Sequence, residues 1–510
     1  MTQQEIANAA SQESQPPLGP SQSSADDSHW WQVTDFLVFG VWVTLIAIIL
    51  PRHEPWADES QAWLIARDLD LRTIWFHELR YEGTPGLWHT ILWIAQHWFH
   101  ASYAGLSIIG AVCAAAGVAF ILWKSPFPRP LTYLMVFSYF LVYQYAIVAR
   151  SYNLLPLLVF AAAYLYRDRS RPVLMTIVLI LLANVAVHGA LLAASLGFCY
   201  LIEAHKDWPN LTRTVRARYF FCVGAMLLTF LFLFFILRPT PDVVEFAKSP
   251  AGSHPYKEPL LTRLDSVVAY AFFDQAYISA LFLLLTGAWC FMRHKLLPFA
   301  LSVSLLILLY VAVHGRPHHH GTVFLAAMAG LWIAWPTNEE MQGFTERARL
   351  ATWGMITALA CLFCLNIWDA QVSMTDDYIY PYSGSENAAR FLKRMGADKT
   401  KIFGYTYGIS AVQAYFDHNI VANSPNTYYH QGMPQYGAFL DFDEIQAGAP
   451  EYVIVFGNAG MKDYRKIDPP LRAHGYALVH YSEGVVFYKR SPFDTASYYI
   501  YQRQSVPALP

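Results

Sequence analysis

The chain has 510 residues, by length room for about three or four soluble domains. Composition excludes that arrangement: 55% of residues are hydrophobic, 16% aromatic and only 14% charged, with a mean hydropathy of +0.27, whereas a soluble chain carries about 25% charged residues. The sequence describes a polytopic membrane protein with a soluble part. It excludes intrinsic disorder for most of the chain, and a net charge of −2 gives none of the basic footprint of a nucleic-acid binder.

Residues 1–29 are polar, with Pro, Gln and Ser, and read as a disordered cytoplasmic tail without a cleavable signal. A bilayer-spanning helix needs about 20 apolar residues. Eleven segments approach that: 33–50, 103–123, 131–149, 152–166, 173–187, 189–202, 219–237, 276–292, 297–313, 321–335 and 351–368. The run 86–99 has only fourteen residues and contains His89, Gln96 and His97, so it reads as a juxtamembrane helix. With a cytoplasmic N-terminus, thirteen Lys and Arg residues fall in the inner loops, from Lys124 to Arg349, against Arg150 and Arg316 in the short outer loops. That asymmetry follows the positive-inside rule and puts the segment after residue 368 outside. Two longer outer segments, 51–102 and 238–275, remain, the second a solvated loop or a lid over a pocket.

The tail 369–510 reads as a small α/β domain. Residues 385–396 form a helix that starts at Ser385 and stops at Gly396, while 401–405, 452–457, 476–481 and 485–490 are strand-like runs bounded by turn residues. All six cysteines lie in apolar runs, which argues against a disulfide framework and reads the Cys361–Cys364 pair as packing. The fold class is therefore an α-helical polytopic membrane protein of about eleven transmembrane helices over 30–368, followed by an extracytoplasmic α/β domain.

Charges against a membrane are expensive, so their positions carry information. Asp58 and Glu59 follow the first span within 51–63 and open a helix. Asp58 suits an N-cap with Gln61 closing the box; the same start also holds a carboxylate in place as a general base. Arg150 ends the third span, as an interfacial side chain or as a phosphate anchor. His188 closes the fifth, as a structural residue or a ligand contact. His314, Arg316, His318, His319 and His320 cluster between the ninth and tenth spans. They serve interfacial structure or a phosphate or sugar contact better than a metal, because Pro317 interrupts helical pairing of His314 with His318. All these residues map to one membrane boundary. A transporter or flippase of lipid-linked sugar would place polar groups near the bilayer midplane, but Asp35 and Asn184 lie near span ends and Gln144 stands alone. A non-catalytic membrane scaffold would make the acidic pair dispensable.

WADESQAWLIARDL (56–69) followed by YEGTPGLWHTILW (81–93) resembles the opening of the GT-C membrane glycosyltransferases. The branch is that of protein O-mannosyltransferases, aminoarabinose transferases and RgtA/B/C/D-like proteins. Its acidic motif corresponds to Asp58-Glu59, its Tyr-Glu segment to 81–87, its Arg-x-Tyr motif to Arg150-Ser151-Tyr152, and an outer basic position to His188. Thr84 and Gly86 depart from the branch's usual His and second Pro. The resemblance implies transfer of a sugar, with inversion, from a polyprenyl-phosphate donor to a glycan, lipid or protein acceptor at the outer face of an inner membrane. It implies Asp58 or Glu59 as base. It further implies Arg150 with Tyr152, His188, Arg316 and His318 around the donor, and Glu82 orienting a neighbour. No cofactor is called for; a divalent metal stays open, without a DxD motif to hold it.

Overall fold

The computed structural model describes residues 32–248, 259–313, 316–430, 440–457 and 467–504; the expected N-terminal tail, His314 and part of the 238–275 loop lie outside them. The first apolar run forms α1 (Val33–Ile49), which ends before Pro51. The first long loop then builds α2 (Ala57–Asp68), a broken helical stretch over 71–82, and α3 (Leu87–Phe99). The bundle continues with α4 (Gly105–Lys124), α5 (Arg129–Val136), α6 (Leu155–Tyr166), α7 (Pro172–Ala183), α8 (Val187–Lys206), α9 (Arg213–Ile236), α10 (Leu260–Phe272), α11 (Ala276–Met292), α12 (Leu296–Val313), α13 (Pro317–Ala334) and α14 (Glu346–Ile379). Among the described residues, α4, α8, α9 and α14 are each long and apolar enough to cross a bilayer; α10 and α11 qualify as a pair bent by 72°. Shorter apolar helices, α1 and α7 among them, stand beside these.

Three spans differ from their sequence expectation for physical reasons. The segment 131–149 is not one helix: α5 stops at Val136, a wide π-helical turn covers Phe140–Gln144, and irregular backbone leads to Arg150. Every residue from 138 to 149 is buried, the condition under which irregular backbone is tolerated at membrane depth. Gly321 of α13 makes room for this turn, since a Cβ there would lie 2.3 Å from the Phe140 ring. The helix expected at 321–335 starts at Pro317 and takes His318, His319 and His320 into its first turn, Pro at the first position costing no backbone bond. The last helix runs on past residue 368 to Ile379 because its polar extension is partnered: Asp369, Ser373 and Asp377 are all buried against other elements.

The α/β domain begins with α15 (Ser385–Met395), closed by Gly396 in the left-handed region at φ 64°. Strands β1 (Ile402–Tyr405), β2 (Tyr452–Gly457), β3 (Tyr476–Ser482) and β6 (Ser497–Arg503) form one sheet in the order β1-β2-β6-β3, and β4 (Val485–Tyr488) and β5 (Ser491–Thr495) form a hairpin. β1 and β2 are parallel, and β6 is antiparallel to both β2 and β3. The run expected as a strand to residue 490 ends at Tyr488, since Lys489 turns the hairpin at φ 52°.

That hairpin tip locks the domain to the bundle. Lys489 is fully buried, with Nζ 3.0 Å from Asp274 Oδ1 and 3.7 Å from Asp369 Oδ2, and it donates to the Phe272 carbonyl at 3.1 Å. Arg490 Nε lies 2.8 Å from Asp369 Oδ1, and Ser373 Oγ donates to the Lys489 carbonyl at 2.6 Å. Lys489→Ala leaves the buried Asp369 and the partly buried Asp274 with Arg490 but without the lysine, a change that costs at most about 3–5 kcal/mol. It is expected to lower the thermal unfolding midpoint in detergent; an unchanged midpoint would mean the tip does not hold the domain.

Candidate active site

The loop 51–56 delivers the chain to α2 with Trp56 as the residue before the helix. Sequence pattern suggests Asp58 as the cap, but the cap position is Trp56, and Glu59 in the first turn reaches back to accept the Trp56 N–H at 3.1 Å. Gln61, expected to close the box, instead joins elements: it donates to Glu82 Oε1 at 2.9 Å and to the Tyr429 carbonyl, and accepts from Tyr429 N at 3.1 Å. Asp58 is thereby left facing a cavity of about 640 Å³ at the end of the bundle that meets the α/β domain.

Arg150 arrives in this cavity from the irregular segment after the π-helical turn. Its Nη2 lies 3.3 Å from Asp58 Oδ2, its Nη1 donates to His318 Nε2 at 2.7 Å, and its guanidinium carbon stands 5.4 Å from the Tyr152 ring centre. The Tyr429 hydroxyl donates to Asp58 Oδ1 at 3.2 Å. Glu82 sits where the broken stretch turns at Gly83, left-handed at φ 61°; burial, reinforced by the Glu78 and Asp58 carboxylates, pushes its acid up to about 8. His188 opens α8 and packs by its ring against Tyr152, Tyr310 and His319, at centroid separations of 5.6, 5.3 and 5.2 Å. Arg316 is exposed at the start of α13 and lines the same cavity.

Asp58, Glu82, Arg150, Tyr152, His188, Arg316 and His318 thus border a single recess although they come from five regions of the chain. Glu59, the alternative base, does not border it. Its side chain is fully buried, bound at Oε2 by the Ala149 N–H at 2.6 Å and facing His53 Nε2 at 3.2 Å. Sequence reasoning missed Tyr407, Tyr429 and His430, which the α/β domain adds to the cavity wall. The signal was the aromatic run Tyr428-Tyr429-His430 in an otherwise polar loop. His430 stacks on Tyr81 at 4.0 Å and points Nε2 at Glu78 Oε1, 3.0 Å away. Among the described residues, no group of three or more His, Cys, Asp or Glu side chains is placed to hold a metal ion.

The arrangement offers a carboxylate and a guanidinium side by side, histidines beyond them, and aromatic rings around: the pieces for gripping an anionic headgroup while an acid-base group acts next to it. Comparison with known structures gives the fold. The chain has the architecture of the GT-C aminoarabinose transferase ArnT from Cupriavidus metallidurans, crystallised bound to undecaprenyl phosphate: the TM-score is 0.55 at 12% identity, over 93% of this chain and 99% of that one. The apo crystal structure of the same ArnT aligns with a TM-score of 0.48 at 11% identity, over 91% and 97% of the two chains. No protein-family model and no curated protein sequence matches the chain. The fold expected from the 56–69 and 81–93 motifs is therefore the observed one: a GT-C-type helical membrane protein with a small C-terminal sheet domain.

His53 gives the site a pH-dependent support. Burial opposes a charged imidazole, but the Asp377 and Glu59 carboxylates outweigh it and raise His53 to about 10. Tyr382 packs on the ring at 4.5 Å, Tyr143 donates to Asp377 at 3.2 Å, and Glu54 lies nearby. A folded pKa above the unfolded value of 6.5 means stabilisation that is complete below about 6.5 and lost as pH rises toward 10. The unfolding midpoint is expected to fall across that window, and His53→Gln to flatten the fall; an unaltered profile in the variant would assign it to other groups.

Proposed function

We propose that this protein transfers a sugar from a polyprenyl-phosphate donor to an acceptor hydroxyl at the outer face of the membrane, with inversion at the anomeric carbon. The observation that carries the reading is the Asp58–Arg150 contact of 3.3 Å inside a recess large enough for a sugar and a phosphate. The solved ArnT of the same fold binds undecaprenyl phosphate, which supports a lipid phosphate as the headgroup. The excess of Lys and Arg in the opposite loops supports the outer orientation.

In this mechanism the donor phosphate takes the Arg150 guanidinium in a forked, charge-assisted contact. Asp58 then turns its carboxylate to the acceptor hydroxyl and accepts its proton. The acceptor oxygen forms the new bond to the anomeric carbon as the bond to the phosphate oxygen breaks. The electron pair leaves on the polyprenyl phosphate, where Arg150, assisted by Arg316, stabilises the charge that develops. His318 holds the guanidinium from behind by accepting from Nη1. His188 and Tyr152 contact the headgroup side, and Glu82, tied to Gln61, orients the neighbouring wall. Tyr407 and Tyr429 add to the cavity wall aromatic side chains of the kind that stack on sugars.

The test is incubation of the membrane-embedded protein with labelled polyprenyl-phosphate sugars and identification of the product. Asp58→Asn is expected to lower turnover by about 10²–10⁴-fold, the range of a general base, with the protein still folded; wild-type turnover would remove Asp58 from that role. Arg150→Ala is expected to weaken donor binding by about 10–100-fold, as for a lost hydrogen bond to a charged group; unchanged donor kinetics would reject the phosphate contact.

A further inference from the structure

Asp58 and Arg150 can act together only if their backbones are held at a fixed separation, and nothing in regular secondary structure does this. Asp58 lies in the first turn of α2, and Arg150 ends the irregular backbone that follows the π-helical turn. The carboxylate of Glu59 spans that gap. One oxygen accepts the N–H of Trp56, two residues before Asp58, at 3.1 Å; the other accepts the N–H of Ala149, the residue before Arg150, at 2.6 Å. A single buried side chain thus ties the chain on both sides of the ion pair.

Glu59 is itself held. His53 Nε2 lies 3.2 and 3.3 Å from its two oxygens, and His53 Nδ1 lies 2.8 Å from Asp377 Oδ2. With a carboxylate at each ring nitrogen, both nitrogens act as donors, so the imidazole is cationic. Asp377 sits in the last turn of α14 and also accepts from the Tyr143 hydroxyl at 3.2 Å, so the chain of contacts that begins at Ala149 ends on the π-helical turn just before it. Glu59, His53 and Asp377 are all fully enclosed, with no side chain among them bordering the cavity.

We propose that Glu59, His53 and Asp377 form a positioning triad that sets the separation of Asp58 and Arg150 and thereby the grip on the lipid phosphate, without touching substrate. The inference rests on reading the cavity as a lipid-phosphate site. It assigns Glu59 a role other than base and gives functional weight to two residues, 324 positions apart, that carry no motif. A displacement of about 1 Å at such a site is enough to lose about 10²-fold in rate.

The test uses undecaprenyl phosphate as probe and the full chain in detergent, with affinity read from the fluorescence of Trp56 and Trp88, which border the cavity. Glu59→Ala is expected to weaken binding about tenfold in protein that remains folded. Glu59→Gln, which keeps a side-chain oxygen for one backbone N–H, is expected to recover part of the loss. Combining Glu59→Ala with Arg150→Ala should bind no more weakly than Arg150→Ala alone, because residues acting through one another are not additive. His53→Gln is expected to weaken binding in the same non-additive way. Wild-type affinity in folded Glu59→Ala, or full additivity with Arg150→Ala, overturns the triad. If Glu59→Ala does not fold, Glu59→Gln and His53→Gln decide by the same two criteria. Should Arg150→Ala itself bind the probe normally, the lipid-phosphate reading of the cavity fails first, a result distinct from failure of the triad.

Discussion

Backbone amides that leave a helix inside a hydrophobic bundle must find partners or forfeit several kcal/mol each. The stretch from Phe137 to Arg150 lives under that constraint. It departs from the helix that its hydropathy promises, stays buried from 138 to 149, and is satisfied by a π-helical turn, by local bonds such as Ile147 N–H to the Tyr143 carbonyl, and by the Glu59 carboxylate at Ala149. Because the chain is irregular there, it can turn Arg150 toward α2 instead of carrying it along a helix axis. The candidate site exists at that departure, and its geometry depends on the groups that stabilise it.

The α/β domain takes part in the site as well as covering it. Lys489 and Arg490 are drawn into the bundle by Asp274 and Asp369, and Gln61 is joined to Tyr429 by bonds in both directions. With those two anchors fixed, Tyr429 reaches Asp58 and His430 reaches Glu78. Burial makes each anchor selective: an ion pair out of water is weak as a source of stability but severe if mismatched, which favours one docking of the domain over others.

The two carboxylates that open α2 divide their work by environment. Asp58, 22% exposed at its side chain, meets the cavity and the guanidinium; Glu59, adjacent in sequence, is turned the other way into a closed network with His53. A helix puts successive side chains about 100° apart, so the two adjacent carboxylates leave the helix in different directions. Here one faces the cavity and the other faces the frame.

Hydropathy and charge bias in the amino-acid sequence were enough to establish a polytopic helical membrane protein with a terminal sheet domain. The motif around 56–69 and 81–93 led to the GT-C-type fold and to Glu82, and the cost of charge at a membrane boundary singled out Asp58, Glu59, Arg150, His188 and Arg316; all of these but Glu59 gather around one recess. These features are local: a window of apolar residues or a charge beside it carries its meaning alone. The tertiary structure decided what depends on distant partners. It broke the span at 131–149, extended the last helix to Ile379 through the partners of Asp369, Ser373 and Asp377, and placed β6 at the centre of the sheet. It also separated Asp58 from Glu59 and joined His53 to Asp377 across 324 residues, because a buried polar group is positioned by whichever partner the fold brings within hydrogen-bond reach, and no spacing along the chain records that partner.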